Sequence, residues 1–332
     1  MIEPTRPSSV QRRLRALMGL ICTCALWGLS FPVMKALGQH LAIQSPGVST
    51  WFVAAATVVV RFASGAVLLV LSGWSRPTRS EVVQALALGV FSCAGMLLQM
   101  DALNFSPAST SAFLTQGYIV ILPIAGAVVA RAWPRAKTLF CVLASSSGLA
   151  VLSGFDWATL HLGRGETETL LAACSFAIQI LFLDYRGYRA NRPHVTTTIM
   201  FGCVAILALP LAVWQARPSD FGLLFATPVA LGLLLVLIVP CTVVAFSWMN
   251  RYQPEVSASE AGIIYGAEPL FASILCLFLP GFLGGLAGID YANERLGARL
   301  LIGGGLVVFA NVMLQLPWPR ARARGGTVEH CN

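Results

Sequence analysis

Five ionisable side chains stand within the long apolar stretches of this 332-residue chain: Lys35, Arg61, Asp101, Glu260 and Glu268. A charge at membrane depth is costly, and is usually kept where it faces a bundle interior or water. Glu268 is the first candidate for chemistry. It lies well inside an apolar segment and precedes Pro269, whose missing N–H loosens the local backbone ladder. A carboxyl there could bind a cation or take up and release a proton; the alternative is an interhelical hydrogen bond that only sets helix position. Tyr265 falls one turn earlier on the same face, and Gly262 leaves room beside it. Arg61 stays charged, so it either binds an anionic group of a solute or pairs with a carboxylate such as Asp101 or Glu268. Lys35, about two turns beyond Trp27, either snorkels to the interface or joins the same site. Asp101 and Glu260 are near segment ends, within reach of headgroup water. Trp27, Tyr118, Tyr265 and Trp248 could line a cavity for planar or apolar solutes, or simply pack. Thr115 and Gln116, with Ser111, offer hydrogen bonds to a solute or to a neighbouring helix.

These residues must be positioned by membrane helices. The chain is 57% hydrophobic and 11% charged, with a mean hydropathy of +0.75, too few charges to cover a soluble protein of this length. Segments of about 20 apolar residues are spans, and they fall at 16–38, 50–73, 82–104, 109–131, 137–154, 168–185, 195–215, 226–250, 257–280 and 297–317. Short connectors carry turn formers or charge, among them Ser106-Pro107 and Asn191-Arg192-Pro193. Of the 22 basic residues, 16 fall on the loops and tails of one side and only Arg164, Arg217, Arg295 and Arg299 on the other; Lys35 and Arg61 lie inside spans. The basic side is cytoplasmic, which places both termini there, in a plasma membrane of the bacterial inner-membrane type.

Five spans per half make the second half upside down relative to the first, a common build of secondary carriers. The expected organisation is a basic tail over 1–15, a five-helix repeat over 16–154, a loop over 155–167, a second repeat over 168–317 and a tail over 318–332. The N-terminal apolar run reads as an uncleaved first helix, because it continues to Leu37 without an A-x-A site. The net charge of +8 is spread through short loops and comes with no nucleic-acid motif, so it orients helices and meets lipid headgroups. Eight of the nine cysteines lie in apolar segments, without metal or redox spacing.

Several segments resemble the EamA-type members of the drug/metabolite transporter superfamily. Trp27-Gly28-Leu29-Ser30-Phe31, with Lys35 four residues on, is similar to that family's opening W-G-x-x-[FY]-x-x-x-K. Val60-Arg61-Phe62 is similar to its [LF]-R-F, and the stretch from Ser106 to Thr115, with Ala112-Phe113-Leu114, to its T-S-x-x-x-A-F-L. Ser257 through Ala261, Ile263 and Glu268-Pro269-Leu270-Phe271-Ala272 is similar to S-x-x-x-A-x-I-x-x-x-E-P-[VL]-F-A. The resemblance runs over nearly the whole chain. It implies an all-α integral membrane protein of ten transmembrane helices in two inverted five-helix repeats. Two departures stand out: the fourth segment ends Arg131-Ala132-Trp133-Pro134 without a Glu, and a longer stretch through Asp290 and Glu294 follows the ninth.

The expected activity is secondary transport of a small metabolite or drug-like solute by alternating access. The first expectation is export, in exchange for protons through Glu268. No G-x-x-x-x-G-K-[ST] is present to indicate ATP drive. An intramembrane enzyme is disfavoured, since His40, His161, His194 and His330 all lie in loops or tails and neither H-E-x-x-H nor G-x-S-x-G occurs. A non-transporting scaffold or subunit remains the alternative. No cofactor or metal is expected; partners are the solute, lipid and protons, with a homodimer left open.

Overall fold

The computed structural model describes residues 9–106, 108–153, 163–220, 222–293, 295 and 297–316. Pro107, most of the inter-repeat loop, the first eight residues and the 318–332 tail lie outside the described residues. The described residues form helices α1 Ser9–Gln44, α2 Thr50–Ser72, α3 Arg79–Ala102, α4 Ala108–Thr115, α5 Tyr118–Ala130, α6 Ala136–Ser153 and α7 Arg164–Asp184, then α8 Pro193–Gln215, α9 Pro228–Ile238, α10 Ala245–Tyr252, α11 Ala258–Tyr265, α12 Glu268–Leu275, α13 Leu279–Ala287 and α14 Ala298–Gln315. Large apolar side chains such as Leu71, Val128, Ile206 and Leu301 point outward, while Phe31, Phe62, Phe201 and Phe246 fill the interior. An outer surface of that kind is solvated by lipid, and the chain is an integral multi-pass membrane protein.

Each expected segment is helical, but only six helical stretches among the described residues are continuous and apolar enough to cross a bilayer: Val10–Gln44, Thr50–Ser72, Arg79–Ala102, Arg164–Asp184, Pro193–Gln215 and Pro228–Glu255. The other four differ for physical reasons. The fourth is interrupted at Gln116 and Gly117, between α4 and α5. The ninth is interrupted at Gly266 and Ala267, between α11 and α12, and then bends by 61° into α13. The bend falls at 276–278, inside the expected ninth segment, and α13 leads into the longer stretch noted after it. Helices α6 and α14 have 18 residues each, about 27 Å, a little short of a ~30 Å hydrocarbon core. They lie against each other so closely that a Cβ on Gly148 would meet the Gly303 carbonyl oxygen at 2.7 Å.

Helix α1 makes a similar approach. A Cβ on Gly28 would come within 2.8 Å of the Ala272 amide nitrogen and 3.0 Å of the Glu268 carbonyl oxygen. Glycine is therefore what lets α1 reach the backbone of α12, and the residue after Trp27 serves packing.

Polar clamps close the two ends of the bundle. At one end Glu81 accepts from Arg192 Nε at 2.7 Å, and Arg13 pairs with Glu260 at 2.9 Å. At the other, Arg164 pairs with Asp101 at 2.6 Å and with Glu168 at 2.8 Å. There too the buried Asp220 carboxylate accepts from Arg217 Nη2 at 2.9 Å, from the Arg217 backbone N–H at 3.0 Å and from Ser45 Oγ at 3.0 Å. The Arg217 hydrogen bonds hold the Asp220 carboxyl down at about 2, below its ordinary value. A depressed carboxyl stabilises the fold above its unfolded value of about 4, and that contribution fades as pH falls toward 2. The difference in unfolding midpoint between wild type and Asp220→Asn should therefore be largest near pH 6 and shrink on acidification below about pH 4. A difference that grows on acidification would remove this clamp from the account of stability.

Candidate functional site

The inner faces of the helices meet around a central cavity. The two interrupted segments supply its floor. Helix α4 ends at Thr115 and α5 begins at Tyr118; α11 ends at Tyr265 and α12 begins at Glu268, so corresponding ends fall 150 residues apart. Pro123 lies inside α5, where it removes a backbone donor, and Pro269 occupies the first turn of α12, where a helix accepts proline without losing a hydrogen bond. The chain is thus irregular where it lines a cavity, and interrupted helices of this kind build the solute sites of carriers.

Trp27, Arg61, Thr115, Tyr118, Tyr265 and Glu268 all line this cavity. Gln116 stands behind it, donating from Nε2 to Glu268 Oε2 at 3.1 Å. The interruption of the first half thereby holds the carboxyl of the second. Thr115 Oγ1 donates to the Ser111 carbonyl at 2.8 Å and accepts from Gln99 Nε2 at 3.0 Å. Tyr265 is fully buried, and its hydroxyl donates to Gln253 Oε1 at 3.0 Å. Trp27 lies between Phe246 and Tyr265, with ring centroids 5.4 and 5.5 Å away. These faces make an aromatic wall opposite the polar one.

Arg61 is buried at the cavity edge. Its Nε donates to Thr242 Oγ1 at 3.0 Å and its Nη1 to Met34 Sδ at 3.3 Å. Thr242 belongs to a π-helical turn, Val239–Val244, that joins α9 to α10, and its own hydroxyl donates to the Leu237 carbonyl. The expected pairing of Arg61 with Asp101 or Glu268 does not form. Asp101 is taken by Arg164, on a helix end that the chain brings beside α3, and Glu268 is taken by Gln116. Asp101 also does not reach headgroup water, because it is fully buried under Arg164. Glu260 caps α11, accepting from the Ser257 backbone N–H, and pairs with Arg13.

Lys35 is not part of the central cavity. It lines a second one of about 410 Å³, with Gly38, Gln39, Asn104 and Ser106. Met34 borders this outer cavity and also holds Arg61, so its side chain lies between the two spaces. The free space of the central cavity is only about 40 Å³, room for a few waters.

Sequence reasoning did not pick out Ser30, Met96, Phe176, Ile180, Phe246 and Met249, which complete the lining. Methionine and phenylalanine look alike in sequence whether they face lipid or a cavity. Gln99 and Gln179, polar groups inside spans, carried a usable signal. Trp248 does not line the cavity.

The EamA-like transporter family profile matches residues 14–154 and again residues 164–314. The chain is 26% identical over 291 residues to an uncharacterized transporter of Archaeoglobus fulgidus, covering 88% of this chain and 84% of that one. A solved crystal structure of a protein shares the fold, with a TM-score of 0.61 at 15% identity over 88% of this chain and 96% of the other.

Proposed function

Since the chain belongs to the EamA-like transporter family, and is a transporter rather than an enzyme, we propose that it is a secondary carrier moving a small metabolite or drug-like solute by alternating access, with Glu268 linking transport to protons. In this reading ten crossings form two inverted five-helix repeats, 16–154 and 168–317, with both termini cytoplasmic. Export is the first expectation for direction. Trp27, Arg61, Thr115, Tyr118 and Tyr265 surround the solute, Gln116 holds Glu268, and Lys35 stands in the outer approach.

One observation carries this reading: two helices interrupted at equivalent points of the two halves meet at a cavity, and Gln116 of one break holds the carboxylate that opens the helix after the other. An intramembrane carboxyl on a cavity wall is suited to proton relay. Solute-linked proton flux tests it. Metabolites whose levels change in cells lacking the protein are offered to proteoliposomes containing a pH-sensitive dye. A carrier moves protons only when its solute is present. Proton movement without solute points to a pore, and no flux with any of them removes the carrier.

Topology has its own test. In a background lacking native cysteines, Arg189→Cys should react with an impermeant maleimide from the cytoplasm and Thr167→Cys from outside. Thr167 is exposed and leaves the Arg164 ion pairs intact. Reversed labelling of either position breaks the inverted-repeat assignment.

A further inference from the structure

Among the described residues that line the central cavity, the buried side-chain atoms without partners are donors, while Gln116 Oε1, behind the lining, is an acceptor without one. Trp27 Nε1 is buried and has no hydrogen-bond partner, and the same holds for Nε2 of the buried Gln179. Arg61 spends Nε and one Nη1 hydrogen, so three of its five N–H groups remain, with Nη2 donating to no described residue. A buried indole N–H without an acceptor, and a buried guanidinium with three N–H groups unspent, are unfavourable unless a ligand supplies acceptors. The acceptor that suits a guanidinium fork best is a carboxylate.

Charge bookkeeping sharpens the point. Arg61 always contributes one positive charge, and Glu268 contributes one negative charge or none. The other titratable groups around Glu268 are Cys24 of α1, Tyr118 of α5 and Tyr265 of α11; they are neutral at ordinary pH. Of the further elements packed on α12, α4 carries no titratable residue, α6 carries Lys137 and Cys141, and α14 carries Arg299. Lys137 Nζ is tied to the Leu314 and Leu316 carbonyls at the end of α14. The cavity proper therefore holds a net charge of zero with Glu268 ionised and plus one with Glu268 protonated. The outer cavity beyond Met34 adds Lys35 and no acidic lining residue.

We propose that the solute is a carboxylate-bearing organic anion with a planar apolar body, bound by Arg61 and the Trp27 N–H against the aromatic wall, and that it crosses together with one proton on Glu268. This rests on the carrier reading above, and replaces proton exchange and the expectation of export with movement of solute and proton in the same direction, so that an inward proton gradient drives uptake. Proton and anion occupy different residues, and each makes the cavity charge more favourable for the other, so their binding is mutually reinforcing. The loaded cavity is neutral, which is the state that crosses a low-dielectric barrier at least cost. The one bond made and broken is the O–H of the Glu268 carboxyl: it forms on the side where the anion meets Arg61, and the proton leaves on the side where the anion leaves.

The test uses the full-length protein in proteoliposomes and three solutes of one shape: phenylpyruvate, an anion; phenylalanine, a zwitterion; and phenethylamine, a cation. Protein-free vesicles set the leak. Phenylpyruvate should move with one proton in the same direction. Its rate should not change when a potassium gradient with valinomycin imposes a membrane potential of either sign. Arg61→Gln should lower phenylpyruvate flux by about tenfold or more. If that variant fails to fold, the wild-type comparison decides alone. Flux of phenethylamine or phenylalanine without phenylpyruvate overturns the anion assignment and leaves the carrier standing. Phenylpyruvate flux that carries net charge, or that runs against the proton, overturns the coupling. No flux of these three, while another solute altered in cells lacking the protein does move, also overturns the inference alone. No flux of any such solute overturns the carrier reading together with it.

Discussion

Glu268→Gln should abolish proton-linked solute flux while leaving the protein folded. The replacement has nearly the same shape, and its amide oxygen can accept the hydrogen bond that Gln116 Nε2 now gives to Oε2 at 3.1 Å. The contact between the two helix breaks therefore survives. What the amide cannot do is take up and release a proton at this position. Flux driven by a pH gradient should fall by at least about a hundredfold, the lower range for removing a proton-transferring group. Exchange of labelled for unlabelled solute, which needs no net proton movement, should persist. The unfolding midpoint should stay near that of wild type, since no buried group loses its partner. Unchanged proton coupling in a folded variant would remove Glu268 from the mechanism. Simultaneous loss of exchange and folding would instead make it a packing residue.

Glu268 was legible in the sequence because a carboxylate in an apolar segment is expensive, and because Pro269 marks a place where the helix need not be regular. The same logic found Arg61 but not its partners. Thr242 comes from a π-helical turn on a helix far along the chain, and nothing in the pattern around Pro240 says which way its hydroxyl points. Asp101 was an obvious partner by charge, yet Arg164 reaches it first. Lys35 shares a motif with Trp27 and α1 with it, but the side chains open into different cavities, with Met34 between. Helix length shows a similar division. The apolar runs placed the long helices, because lipid selects for them, but not α13, which follows the 61° bend. Hydropathy does not register the interruptions at Gln116 and Gly266, since a short turn between two apolar half-helices leaves the average unchanged. The breaks are where the site is, so the part of the fold least visible to hydropathy is the part that positions the chemistry.

Gly28→Val should remove transport by a route that leaves every polar group in place. The Cβ would meet the Ala272 amide nitrogen at 2.8 Å, Phe271 Cβ at 2.9 Å and the Glu268 carbonyl oxygen at 3.0 Å. Two of these are backbone atoms, which cannot rotate out of the way as the tip of a side chain can. Helix α1 must then move off α12, carrying Trp27 away from Tyr265 and widening the cavity on the side of Glu268. Overpacking of this kind costs about 1–3 kcal/mol, and in lipid no hydrophobic force draws the helices back together, because close packing is itself the attraction. The expected result is a lower unfolding midpoint and loss of solute flux, with Gly28→Ala intermediate. Gly202 on α8 supplies the control: an added Cβ there meets nothing within 4 Å, so Gly202→Ala should leave flux unchanged and, by helix propensity, should not lower stability. Wild-type flux and midpoint in Gly28→Val would mean that α1 does not bear on α12 in the working protein. Loss in both glycine variants would show a general intolerance of α-carbon substitution rather than a contact at Glu268.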